Sequence, residues 1–464
     1  MSGDSWPSRR RPPDQVGRAL RRLRPVGLAP RAVDLLPLLR VRGLTELWTC
    51  EAADADWARL FDVELHSLEE SSGTRRRWRG TDVDRLLPAL RARAGSGRRH
   101  LLVPYALTDG VLCGPAGGRA PRLPAHLAVA RPPELTDKIS ARRWLRGLGV
   151  PVPDSAVVGR TGGPGYRTLR RRLGSPMVLQ APAGSGGVRT FLVGDRSDYE
   201  QARSQLPTRA LASSYAGDTT LNLHGLVARD GGVTVGRPAL QLSGLSQAGS
   251  GFGEYAGSDF AAPWLHPERL LHACASIVRR VGASMAAKGY AGIFGIDFAA
   301  SDAAVTVLEV NSRVQASTWL LGELERESGE VPMLCRHVLP DLRCGPPGPW
   351  PEAAAPAGCS LVVRHTGRAG RVGGTLRPGV YVRRGTLLER RRTGVGPLSC
   401  GPGEIAIADL PRPGTVVHPG AALGRIAARF SLADPDGRSL TAVGAALVAA
   451  LRASVPVLPD DGRP

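Results

Sequence analysis

Hydrophobic and polar positions change their period several times along this chain, and the changes predict its elements. Up to about residue 130, short apolar runs (Val33–Leu39, His100–Val103) alternate with arginine-studded helical stretches such as 82–93, the texture of a small α/β domain. A helix is predicted from about Asp137 to Leu148, because Ile139, Trp144, Leu145 and Leu148 recur on one face and Gly149 and Pro151 stop it. The middle of the chain carries short alternating or apolar runs bounded by Gly, Ser and Asp: PMVLQAP, TTLNLHGLV, GVTVGRPALQLSG, AGIFGIDF and VTVLEVNS. One amphipathic helix, about Pro267–Lys288, interrupts them. After a proline-rich break at 345–358 the chain is again β-rich (SLVVRH, GVYVRRG, EIAIADL, TVVHPG), and a helix closes it over 440–453. No repeat of solenoid period is present.

The expected class is therefore α+β. Four segments are expected: an α/β domain at 1–130, a central domain at 131–344, a linker at 345–358 and a β-rich domain at 359–464. Composition narrows the picture only a little. The 464 residues carry 42% apolar and 22% charged side chains, which is globular usage. The net charge of +20 invites a nucleic-acid reading, but 61 basic residues include only two lysines, Lys138 and Lys288. Arginines are spread throughout and aromatics are 5%, so the charge reads as the drift of a GC-rich coding sequence, and no nucleic-acid partner is expected. Seven cysteines without a C-x-x-C pair argue against structural zinc or a disulfide framework. No apolar stretch follows the N-terminal arginines and no 18 apolar residues run together, so a cytoplasmic protein with no membrane partner is the expectation.

The candidate chemistry is concentrated in GIDF (295–298) and VTVLEVNSRVQAST (305–318). Residues two apart on a strand share a face, which puts Glu309, Asn311 and Arg313 in one row opposite Asp297 on the paired strand. Two carboxylates and an amide oxygen suit a hard divalent cation bound together with phosphate oxygens. Arg313 beside them would neutralise charge on a transferring phosphoryl group.

These residues resemble the magnesium site of the ATP-grasp superfamily, and N-S-R-V-Q (311–315) is similar to the N-x-R-x-Q run of its biotin-carboxylase branch. The resemblance covers about 131–340. It implies an ATP-grasp fold with an N-terminal pre-ATP-grasp domain, ATP and Mg2+ as cofactors, and Asp297, Glu309 and Asn311 as metal ligands. It also implies phosphate contacts from Lys138 in T-D-K-I-S and from the loop Gly184, Ser185, Gly186 and Gly187 in PMVLQAPAGSGGVRTFLV. Gln180 stands where many relatives place a second lysine, with Arg189 available to restore the charge. LASSYAGDTTLNLHGLV matches the adenosine hinge, which implicates Ser213, Tyr215 and Asn222; serines 213 and 214 stand where a glutamate commonly meets the ribose.

Lysine usage supports Lys138 independently. Where drift has exchanged nearly every lysine for arginine, a surviving lysine marks a place a guanidinium fork cannot fill. Lys288 reads instead as a charge at a helix C-terminus, and His224 as a structural strand histidine. The Gly/Ser-rich stretch between Gln241 and Asp259 reads as a loop for donor or acceptor. Biotin carboxylation is disfavoured, because Ser317 replaces the glutamate of that branch and no bicarbonate-holding lysine exists. V-x-P-G-A-A-L (417–423) lacks a carrier lysine.

The architecture looks like that of actinobacterial natural-product ligases, including the pheganomycin-type peptide ligases. That resemblance implies ATP-dependent joining of a small-molecule carboxylate donor to an amine or peptide acceptor through an acyl phosphate, with Lys138 and Arg313 catalytic. Relatives of this kind are often homodimers. A non-catalytic nucleotide-binding protein, or a ligase with a thiol acceptor, are the alternatives.

Overall fold

Four of the alternating segments in the middle of the chain, with a fifth strand from the Gly/Ser-rich stretch, become one antiparallel arrangement. In a computed structural model, which describes residues 13–52, 55–94, 101–108, 110–111, 132–159, 164–184, 186–301, 303–339 and 356–459, the strand order is Val305–Asn311, Gly292–Ala300, Thr219–Val227, Val233–Ser243 and Tyr255–Asp259. The residues of one face, among them Leu221, Leu223, Phe294, Ile296, Phe298 and Val307, are buried. The helix Glu268–Ala286 covers one face, contributing Leu271, Val278 and Val281. Two glycines let it approach: a Cβ on Gly282 would lie 2.7 Å from Val233, and one on Gly225 would lie 2.9 Å from Val278 of the helix.

A second antiparallel sheet in the same region runs Ser155–Val158, Ala210–Ser214, Met177–Gln180 and Thr190–Val193. Leu169, Leu173, Met177, Leu179, Val193 and Ala212 form its core. The helix predicted at 137–148 is Lys138–Gly147, started by Asp137, whose Oδ1 accepts from the backbone N–H of Ile139 (2.8 Å) and Ser140 (3.0 Å). Its buried face is Ile139, Arg142 and Leu145, so an arginine stands where the apolar pattern put Trp144 and Leu148.

The chain divides into two compact units, one of Val129–Ser312 with Ala433–Leu440, the other of Met1–Ala128, Arg313–Leu432 and Thr441–Pro464. The two sheets above belong to the first. In the second unit, Glu64–Ser67, Glu46–Thr49, Pro25–Ala29 and Leu101–Pro104 pair in parallel in that order. The apolar run at 33–39 is helical, a 3-10 turn Ala32–Leu35 leading into the helix Leu36–Arg40. A short buried helix and a short buried strand have the same apolar signature. Cys359–Arg364, Ala422–Ala428, Ile405–Ala408, Gly379–Arg384 and Leu387–Arg392 form an antiparallel sheet, and the terminal helix is Ala442–Ser454.

The sequence pattern groups residues 313–339 with the central region, whereas in the structure they pack within the unit that holds the N-terminal sheet. The helix Thr318–Glu327 presents Gly322 to Pro37, where a Cβ would come within 2.5 Å of the proline ring, and Arg40 Nη2 reaches the fully buried Glu323 at 2.9 Å. Most of the linker at 345–358, Cys113 and Cys344 lie outside the described residues. Among the described residues no helix is long and apolar enough to cross a membrane.

Candidate active site

Three adjacent strands bring a polar row to one place. Asp297 lies opposite Glu309 on one side and opposite Asn222 on the other, and Asn311 lies opposite Gly295. A bulge between Asp297 and Phe298 adds Leu308 to the partner strand and keeps Val307 and Val310 in the core. Asn222 Nδ2 donates to Asp297 Oδ1 at 2.6 Å, and Asn311 Nδ2 lies 3.4 Å from Asp297 Oδ2. Lys138 Nζ donates to Glu309 Oε2 at 3.0 Å, with the two side chains 18% and 27% exposed.

Arg142, one helical turn beyond Lys138, was not singled out on sequence. It is buried, and its guanidinium donates to the carbonyl of Leu308 at 3.2 Å. Burial and the neighbouring Arg146 bring its pKa down to about 10, against the opposing pull of Glu309. Its signal in the sequence is the i, i+4 spacing from Lys138, which puts both cations on one helix face.

The glycine-rich loop joins the paired strands Met177–Gln180 and Thr190–Val193. Lys138 N–H donates to Pro182 O at 2.9 Å, which ties the start of the helix to the start of this loop. Gly184, Gly186 and Gly187 have φ of 147°, 63° and 76°. At Gly187 a Cβ would lie 2.0 Å from the carbonyl oxygen of Gly253, so the loop is seated against the backbone of the 244–254 turn. Ser185 lies outside the described residues. Gln180 and Ser213 are buried in the second sheet, and Arg189 is exposed just past the loop.

In the hinge, the Tyr215 hydroxyl donates to Asp218, which also pairs with Arg438 at 2.9 Å. Burial and the Asp218 carboxylate push the Tyr215 phenol up to about 12. The Tyr215 and Phe252 rings lie 6.4 Å apart. The stretch read as an irregular loop between Gln241 and Asp259 is strand at both ends, with Gln241 opposite Ser258; only 244–254 connects them. Asp259 is buried, and its Oδ1 accepts from Ala261 N–H (2.7 Å) and Ala262 N–H (3.1 Å), a structural role. His224 is fully buried, and burial alone lowers its pKa to about 3, so it is neutral.

Arg313 departs from the expected row. The strand ends at Asn311, so the alternation that aligned 309, 311 and 313 stops before the arginine. Its Nη1 donates to the carbonyl of Val314 at 3.0 Å and lies 3.4 Å from the Tyr105 hydroxyl, with the guanidinium 5.6 Å from the Tyr105 ring centroid.

Among the described residues no group of three His, Cys, Asp or Glu side chains forms a metal cluster. The donors that do converge, two carboxylates and an amide, fit a magnesium ion, which keeps most of its coordination for water and phosphate oxygens. The ammonium held by Glu309 shows that this carboxylate accepts a cation.

No protein-family model matches the chain, and no curated protein matches its sequence. Solved structures do. The chain is similar to the biotin carboxylase domain of the Hydrogenobacter thermophilus 2-oxoglutarate carboxylase, whose structure contains MgADP, ADP and bicarbonate. Identity is 13% and the TM-score 0.58, over 87% of this chain and 86% of that one. It is similar to the phosphoribosylamine–glycine ligase of Thermotoga maritima, at 13% identity and TM-score 0.54 over 93% and 96%. The N5-carboxyaminoimidazole ribonucleotide synthetase of Thermus thermophilus gives 17% identity and TM-score 0.52 over 94% and 99%. The fold is thus the α+β ATP-grasp fold that the motifs implied.

Proposed function

We propose that this protein is an ATP-dependent, ADP-forming ligase that activates a carboxylate as an acyl phosphate and transfers the acyl group to an amine. The observation that carries the reading is the row Asn222, Asp297 and Glu309 across three strands, with Lys138 at its end and tied through its backbone to the glycine-rich loop. The structural similarity to ligases and carboxylases supports it.

Asp297, Glu309 and Asn311 would hold magnesium, which when bound neutralises phosphate oxygens. Lys138 and the N–H groups around Gly184, Gly186 and Gly187 bind the triphosphate, and Ser213, Tyr215 and Gln180 lie along the adenosine side. The donor carboxylate attacks the γ-phosphorus and the bond to ADP breaks. An amine then attacks the acyl carbon, and inorganic phosphate leaves. Arg313 stabilises charge first on the phosphoryl group and then on the oxyanion. The loop excludes water from the acyl phosphate.

The finer reading follows the pheganomycin-type resemblance: an amino acid or derivative as donor, an amine or peptide as acceptor, in natural-product assembly. The test is ADP release by the full chain across a panel of amino acids and peptides, with product masses read in parallel. A ligase gives ADP only with a competent donor, and Glu309→Gln abolishes it. Glu309→Gln turning over at the wild-type rate would overturn the assignment.

A further inference from the structure

Lys138 and a divalent ion make competing claims on one carboxylate. Lys138 Nζ lies 3.0 Å from Glu309 Oε2, and Glu309 is also the residue through which the proposed site would hold its metal. A carboxylate oxygen that faces an ammonium cannot also face a magnesium ion at 2.0–2.1 Å without the two cations repelling each other strongly.

The surroundings show which cation is free to leave. Arg142 is buried and donates to Leu308 O, so it is fixed. The backbone of Lys138 is fixed too, through the Asp137 cap and the hydrogen bond to Pro182 O. Its side chain is a flexible stem whose ammonium, among the described residues, makes one hydrogen bond, to Glu309, and it starts beside the loop that follows Pro182.

We propose that Lys138 is a placeholder cation: its ammonium and a divalent ion are alternative partners of Glu309, and a nucleotide completes the exchange by drawing the ammonium onto its phosphate oxygens. The proposal rests on the ligase reading of this site and adds a second duty for Lys138, that of keeping metal out until nucleotide is present. It also explains why lysine persists here in a chain that uses arginine almost everywhere else. A guanidinium would grip Glu309 through two parallel N–H groups, whereas an ammonium makes a contact that one incoming charge can replace.

The test uses Mn2+ as probe, followed by electron paramagnetic resonance on the full chain, with and without ADP. Without ADP, Lys138→Met and Lys138→Gln bind Mn2+ at least about tenfold more tightly than wild type, because a like charge has been removed from the site. Glu309→Gln in either background abolishes that gain. Lys138→Arg binds Mn2+ alone no better than wild type and takes it up less well with ADP. Unchanged or weaker Mn2+ binding by both Lys138→Met and Lys138→Gln, while wild type still takes up Mn2+ with ADP, overturns the exchange alone. Wild type that takes up no Mn2+ even with ADP overturns the nucleotide reading, and the exchange with it.

Discussion

Asn222 donates a 2.6 Å hydrogen bond to Asp297 across the register that sets the two residues opposite each other on neighbouring strands. Asn222 is 1% exposed, so this bond is made away from water. The motif resemblance placed Asn222 on the strand that holds adenosine; the geometry makes it the residue that orients a carboxylate of the proposed metal row. Groups that orient a metal ligand typically contribute 10–100-fold to metal affinity. Asn222→Leu is therefore expected to weaken Mn2+ binding in the presence of ADP by about that factor. Asn222→Asp sets two carboxylates in contact and weakens folding as well. Titration of Mn2+ and a thermal melt on each variant separate the two effects.

Arg313 rests against the ring of Tyr105, which is 5% exposed and anchored by its N–H to the carbonyl of Leu28 at 2.8 Å. Burial raises the Tyr105 pKa, so the hydroxyl stays protonated. If Arg313 stabilises transition-state charge, Arg313→Ala lowers kcat by roughly 10²–10³. Tyr105→Leu removes a stacking contact of about 0.5–2 kcal/mol and lowers kcat less, and Tyr105→Phe lowers it least. In an Arg313→Ala background the Tyr105 substitutions should add nothing to the loss in kcat. Additive losses would show that Tyr105 acts by another route.

The parts of this site that follow a local rule were legible in the sequence. Glu309 and Asn311 sit two apart on a strand, and the period of a strand alone puts them on one face with Asp297 across the turn. The rule failed at Arg313, because alternation holds only while the strand lasts and this one ends at Asn311. Pairings that depend on register between distant segments left no local trace. Asn222 meets Asp297 across 75 residues and Lys138 meets Glu309 across 171, and no periodicity spans such intervals. Arg142 was hidden for another reason: a charged residue on a buried helix face contradicts the apolar pattern, and the carbonyls of Leu308 and Pro153 that receive it lie far along the chain or beyond the helix. The run at 33–39 was ambiguous in type, although its burial was readable.

Two glycines of the loop allow a comparison at nearly constant backbone strain. Gly186 and Gly187 have φ of 63° and 76°, so alanine at either pays a left-handed penalty of about 1–2 kcal/mol. At Gly186 a Cβ meets nothing within 4 Å, whereas at Gly187 it would sit 2.0 Å from the Gly253 carbonyl oxygen. Gly187→Ala must therefore push the loop off the 244–254 turn. It is expected to raise the KM for ATP by roughly tenfold or more, while Gly186→Ala raises it only a few-fold. Equal effects would mean that the seat on Gly253 has no part in nucleotide binding.

A last expectation concerns pH. Glu51 is 3% exposed, and burial pushes its carboxyl up to about 7; Arg75 and Arg31 oppose the shift, and Asp409 and Glu69 add to it. Among the described residues its Oε2 has no hydrogen-bond partner and its ion-pair neighbour, Arg75 Nη1, is 3.9 Å away, because that guanidinium is already spent on Glu69 at 2.8 Å and on the carbonyl of Asp409 at 2.6 Å. The folded protein thus holds a proton on Glu51 at pH values where the unfolded chain, near 4.5, has released it. Between those two values the native state binds more protons than the unfolded state, so this group's contribution to stability falls as pH rises from about 4.5 to 7. Glu51→Gln keeps the shape and removes the titration. Relative to wild type, the variant should therefore gain stability as pH rises through that window and hold the gain above it. Thermal or urea denaturation of both proteins at pH 5 and pH 8 measures the difference, and a gap that shrinks with rising pH would show that Glu51 is ionised in the folded protein throughout.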